Sequence, residues 1–167
     1  QSRKENSAEH SWHLAMYALL LRDHAVGVID VERVIKMLLI HDIVEVDVGD
    51  TPIHSGASSQ DQALLETQAA TRLFSLLPEP QGSELLALWH EFEDAVTEDA
   101  KFAKALDRVQ PLLANVHTGG GTWTENGVTL EQVLQRYGTV IARGSPALWQ
   151  VCEQLAREHF QRKICSN

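Results

Sequence analysis

Residues 35–45 read I-K-M-L-L-I-H-D-I-V-E, an apolar run that ends in two ionisable side chains. Upstream of that end, Val34, Ile35, Leu38 and Leu39 recur at the three- and four-residue spacing of a helix face, and Asp30 stands where an N-cap is needed. His41 and Asp42 therefore arrive at the end of a helix whose apolar side is buried. An imidazole and a carboxylate in that position cost free energy unless they are paired or ligated. The stretch thus predicts a helix with two polar residues directly after its buried run.

The same period runs through most of the chain, and no segment shows the sustained alternation of a half-buried strand. The fold class expected is all-α, a single domain with seven helices. The first covers about residues 8–24, with Asn6 or Ser7 as cap and Leu14, Ala18, Leu21 and Ala25 on one stripe. The second is the run before His41. A third covers about residues 61–76 and stops at Pro78 and Pro80, and a fourth covers about residues 83–93 with Leu85, Leu88, Trp89 and Phe92 inward. Thr97 caps the fifth, which carries Phe102, Leu106, Val109 and Leu113 on one face and Pro111 near its end. Thr129 caps the sixth, to about Arg143, and Ser145-Pro146 opens the last, because proline is favoured in a first helical turn. Residues 47–60 and 117–127, rich in glycine and small polar residues, are expected to be loops.

Fourteen basic against twenty-three acidic residues give a formal charge of −9. That excess repels polymeric nucleic acid and anionic membrane surfaces, so a phosphate-bearing ligand requires a local positive centre, which a bound divalent cation supplies. Cys152 and Cys165 have no CxxC spacing, which points away from a disulfide framework or thiolate zinc and towards a reducing, cytoplasmic compartment. No run approaches the roughly 18 to 20 apolar residues that cross a bilayer, and no signal peptide is recognised.

A His-Asp dipeptide alone is a weak signal. It gains weight from His10, which follows Glu9 at the start of its own helix, and from Asp107, embedded in the apolar face of the fifth. Two imidazoles and two carboxylates suit Mn, Co, Fe or Zn better than Ca. The plainer alternative for all four is a set of helix-end hydrogen bonds and caps.

R-x-E-N-S-A-E-H-S-W-H at residues 3–13, the stretch at 35–45, D-x-G-D-T-P at 47–52 and K-F-x-K-x-L-D at 101–107 follow one another along the chain. In these motifs and their order the sequence resembles the HD-domain 5'-deoxynucleotidases, a group that includes the bacterial YfbR-like enzymes. The resemblance implies one HD domain over residues 1–167; related enzymes also carry, shortly before the first motif, an Arg-Trp pair for phosphate and deoxyribose, a feature these residues do not contain. It implies His10, His41, Asp42 and Asp107 as ligands of a divalent cation, Mn, Co or Mg first and Fe or Zn next. The implied activity is hydrolysis of nucleoside 5'-monophosphates, in which the metal orients phosphate and lowers the pKa of water. Glu45 would position or deprotonate the attacking water and Asp50 would protonate the leaving 5'-oxygen. The implied partner is a small nucleotide, and the implied assembly is a homodimer.

Glu45 lies four residues after His41, so it shares the ligand face if the helix continues for another turn. A solvated helix-end carboxylate is the alternative for Glu45, and a turn-forming aspartate before Thr51-Pro52 is the alternative for Asp50. His13 is either a support to the ligands or a hydrogen-bonded core histidine. Gly119-Gly120-Gly121 lacks the lysine and preceding strand of a phosphate-binding loop, so a flexible connection is expected there. Competing functions are a pyrophosphohydrolase or triphosphohydrolase on the same scaffold, and a nucleotide- or metal-binding module without turnover.

Overall fold

The computed structural model describes residue 3 and residues 5–48 and 59–165. The described residues form α1 (Ser7–Leu21), α2 (Val31–Ile40), α3 (Glu45–Val48), α4 (Ser59–Phe74), α5 (Gln81–Asp94), α6 (Glu98–His117), α7 (Gly121–Glu125), α8 (Leu130–Gly144) and α9 (Pro146–Cys165), and no strand. Two 3₁₀ turns, Arg22–His24 and His41–Val44, follow α1 and α2.

Four helix starts lie where the sequence puts their caps. The side chains of Asn6, Asp30, Thr97 and Thr129 accept from the first-turn amides of Glu9, Glu32, Ala100 and Gln132. At α1 and α8 the return bonds, from the Asn6 amide to Glu9 and from the Thr129 amide to Gln132, complete capping boxes. These bonds are local, which is why sequence alone locates them.

Helix α6 runs through the middle of the fold and touches α1, α2, α5, α7, α8 and α9. One side of it, through Phe102, Ala103 and Leu106, closes a core with Leu14 and Ala18 of α1, Val34, Met37 and Leu38 of α2, and Leu88 and Phe92 of α5. Its later turns, through Val109 and Leu112, join Trp123, Val133, Tyr137, Ile141, Cys152 and Ala156 in a second core. Trp89, Val44 and Phe74 anchor a third, under α4 and α5. Asp107 follows directly on buried Leu106, so the central helix carries the carboxylate into the interior.

Four features depart from the sequence expectation. Nine helices are described where seven are expected. The connection at 117–127 contains α7, because Trp123 is 1% exposed and the turn that buries it is organised around Asn115. Asn115 Oδ1 accepts from Thr122 Oγ1 and from the Trp123 amide, both at 3.1 Å, and Gly120 supplies a φ of 113°. Leu39 is 52% exposed, since Met37 and Leu38 take the inward positions and the apolar face of α2 is narrower than its composition suggests. Residues 45–48 and 59–60 are helical, so the expected loop is shorter at both ends.

The contact between α6 and α8 depends on the absence of a side chain at Gly144. A Cβ there would lie 2.2 Å from the Lys101 carbonyl oxygen and 2.7 Å from Ala105 Cβ. The same junction joins the two ends of the fold, with Gly144 carbonyl accepting from the Val26 amide at 3.0 Å and Ser145 Oγ donating to the His24 carbonyl at 2.7 Å. Gly144→Ala is expected to destabilise the chain by about 1–3 kcal/mol, the usual cost of overpacking. A urea denaturation series on the two proteins checks this, and an unchanged midpoint would refute the close approach.

Candidate metal centre

Three elements deliver the candidate ligands. Capping of α1 by Asn6 starts the helix so that His10 lies in its first turns, with a side chain 15% exposed. Helix α2 ends at Ile40, and the following 3₁₀ turn presents His41 and Asp42. Asp107 comes from the middle of α6. One ligand atom each of His10, His41 and Asp107 lies within 4.8 Å of the other two.

His41 is the most constrained member, with 3% of its side chain exposed. Nδ1 lies 2.9 Å from the Leu38 carbonyl oxygen, which can only accept, so Nδ1 carries the hydrogen. The ring packs 5.0 Å from that of Phe92, and Trp89 Nε1 donates to the His41 carbonyl at 3.1 Å. Nε2 is left facing the cluster. Asp42 Oδ1 is 2.9 Å and Asp107 Oδ1 3.5 Å from it, yet neither is aligned as a hydrogen-bond acceptor, and Nε2 is a buried atom without such a partner. An imidazole nitrogen held in this way, with its tautomer fixed from behind, has the arrangement of a metal ligand.

His10 Nε2 lies 3.2 Å from Asp107 Oδ1, and its ring centroid is 5.6 Å from that of His41. Asp107 Oδ2 is 3.5 Å from Arg108 Nη1. Asp42 reaches His41 but falls outside the mutual 4.8 Å set, so of the four expected ligands three converge closely and the fourth sits at the edge.

The electrostatics describe a place made for positive charge. Burial opposes protonation of His41, but Asp107 and Asp42 outweigh it and raise its pKa to about 10. Burial likewise opposes protonation of His10, and Asp107 with Asp42 raises it. Burial alone would raise Asp107, whereas Arg108, His10 and His41 hold its carboxyl well below the usual carboxylate range. A proton on His41 and a cation at Nε2 answer the same two carboxylates, so cation binding and proton release are coupled here. Nitrogen and carboxylate donors together fit a divalent transition metal better than Ca.

The sequence expectation for Glu45 rests on a continuing α-helix, and the structure differs. A 3₁₀ turn has three residues per turn, so Val44 rather than Glu45 falls on the buried side with His41. Glu45 opens α3, half-buried, one residue beyond that turn. Asp50 lies outside the described residues. Glu9, the neighbour of His10 in sequence, is a cap residue. It pairs with Arg3 and accepts from the Asn6 amide, and these hold its carboxyl at about 2.

Further polar side chains stand behind the cluster, and Gln110 among them has no signal in the sequence. Glu5 Oε2 lies 3.5 Å from His10 Nδ1, and Gln110 Nε2 donates to both Glu5 oxygens at 3.0 and 2.9 Å. His13 Nδ1 is 3.3 Å from the same Gln110 nitrogen, and its ring meets the edge of Tyr17 at 4.5 Å. His13 therefore stands with the residues behind His10, outside the converging set.

A model of the HD domain matches residues 1–149. The chain belongs to the HD-domain family. Within that family it is 32% identical over 111 residues to the 5'-deoxynucleotidase HDDC2 of Mus musculus, covering 66% of this chain and 54% of that one. It is 30% identical over 142 residues to a 5'-deoxynucleotidase of Erwinia tasmaniensis, covering 79% and 72%. A crystal structure at 1.37 Å resolution of a predicted metal-dependent phosphohydrolase from Magnetospirillum magnetotacticum MS-1 is 49% identical, with a TM-score of 0.91 over 97% of this chain and 81% of that one. The chain spans about half the length of the HDDC2 relatives it matches. The matched region of this HD domain includes every element that supplies the cluster.

Proposed function

We propose that this HD domain is a metal-dependent phosphohydrolase acting on nucleoside 5'-monophosphates, with deoxyribonucleotides as the preferred class. The observation that carries the reading is His41 Nε2, buried, fixed from behind by Leu38 and turned towards Asp42, Asp107 and the neighbouring His10. Support for the substrate class comes from the relatives bearing the name 5'-deoxynucleotidase.

His10, His41, Asp42 and Asp107 would hold the cation. A divalent metal there supplies a Lewis acid that polarises the phosphoryl group and acidifies water. Glu45 takes a proton from the attacking water, and Asp50 gives one to the departing 5'-oxygen. Phe92 and Trp89 keep the inner side of the site apolar, so the polar groups act towards the open side only. Cytoplasmic residence and a homodimer belong to the same reading. The first is supported by Cys152, a buried free thiol, and the second by exposed Trp12, Leu19 and Leu20 on α1. Among the described residues no helix is long and apolar enough to cross a membrane.

The test is phosphate release from ribo- and deoxyribonucleoside 5'-mono- and triphosphates, after metal is stripped and Mn, Co, Mg or Zn is restored singly. Metal-dependent phosphate from the deoxymonophosphates is the expected result. Pyrophosphate or tripolyphosphate from the triphosphates alone would replace the reading by a different cleavage on the same scaffold, and no turnover with any metal would reduce it to binding.

A further inference from the structure

The two histidines of the cluster face the same problem and meet it differently. Each must present Nε2 towards Asp107, so each needs an acceptor behind Nδ1 that fixes the ring and its tautomer. For His41 that acceptor is the Leu38 carbonyl of its own helix, at 2.9 Å. His10 has no such bond to the backbone of α1, and the group behind its Nδ1 is Glu5 Oε2, at 3.5 Å. Glu5 precedes the first helical turn, where a side chain is free to move unless it is tied. It is tied by Gln110, 3% exposed, whose Nε2 donates to both carboxylate oxygens.

We infer that Glu5, clamped by Gln110, is a positioning residue for the cation site: it receives Nδ1–H of His10 and holds Nε2 on the ligand point. This rests on the metal reading above. Gln110 is three residues after Asp107, so one turn of α6 supplies a ligand and, through Glu5, sets the orientation of another. The distance of 3.5 Å is an ion-pair separation longer than a good hydrogen bond. Loading of Nε2 makes Nδ1–H more acidic and draws it onto the carboxylate, which is how an outer carboxylate strengthens a ligating histidine. His13 shares Gln110 from the other side and keeps its amide turned towards Glu5.

The deciding experiment measures Co and Mn dissociation constants by calorimetry for the wild-type chain, Glu5→Gln, Glu5→Leu and Gln110→Leu, together with the visible Co(II) spectrum and the metal-free melting temperature. Glu5→Leu is expected to bind about 10- to 100-fold more weakly. Glu5→Gln, which keeps an acceptor and loses the charge, falls between, and Gln110→Leu follows the same direction through loss of the clamp. The metal-free melting temperature of Glu5→Gln stays at the wild-type value, which separates positioning from folding, and that variant decides the matter if either leucine variant does not fold. Wild-type affinity and an unchanged Co(II) spectrum in Glu5→Gln and Glu5→Leu would overturn the inference while leaving the metal reading intact. A wild-type chain that takes up neither metal would overturn both.

Discussion

Asp107→Ala is expected to lower phosphate release by about 1000-fold or more, about 4 kcal/mol of transition-state stabilisation, and to strip the chain of tightly held metal. The size of the effect follows from position. Asp107 Oδ1 is the atom that faces both His10 Nε2 and His41 Nε2, so it is the shared anionic member of the converging set. Without it the remaining described donors near His41 are one imidazole and the edge-placed Asp42. The same substitution acts on the metal-free chain. Asp107 and Asp42 sustain the positive charge on buried His41, and removal of one partner from a buried pair costs about 3–5 kcal/mol. That figure is an upper bound here, because His41 can release its proton and remain neutral. Metal content after dialysis, phosphate release and a denaturation midpoint test the three consequences separately. Near-wild-type turnover with full metal content would sink the assignment of Asp107 as a ligand.

That Asp107 could be singled out from sequence has a physical reason: a carboxylate between Leu106 and the apolar turns that follow stands out against its own helix. His41 and Asp42 are legible for the same reason, as ionisable groups at the end of a buried run. Caps are legible because a side chain and an amide two or three residues away decide them. What escaped the sequence is what depends on distant parts of the chain. Glu5 and Gln110 are 105 residues apart and meet only because α1 lies against α6. Glu9 stands next to His10 in sequence, yet the capping box turns it the other way, towards Arg3 and Asn6. Gly119-Gly120-Gly121 reads as flexibility, whereas burial of Trp123, two residues on, makes it a tight turn with a defined φ at Gly120. The helix at His41 tightens into a 3₁₀ turn because Val44 and Trp89 pack beneath it, and no local propensity announces that.

The 3₁₀ turn also sets the terms on which Glu45 is to be tested. Were α2 continuous, Glu45 would lie beneath His41 and its removal would disturb the ligands. With the turn in place Glu45 stands outside the mutual ligand set, so binding and chemistry are separable by mutation. Glu45→Gln and Glu45→Ala are expected to keep metal affinity within a small factor of wild type while losing about 100- to 10,000-fold in kcat, the usual range for removal of a general base. KM for the nucleotide changes little, since the carboxylate acts on the attacking water and not on the bound ester. The acidic limb of the kcat/KM profile, which reports ionisation of the essential base in the free enzyme, flattens in both variants. Loss of metal in step with activity would make Glu45 a ligand, and a loss of less than about tenfold with metal retained would be below the range of a general base. The second outcome would move the proton-accepting role to another carboxylate outside the four ligands.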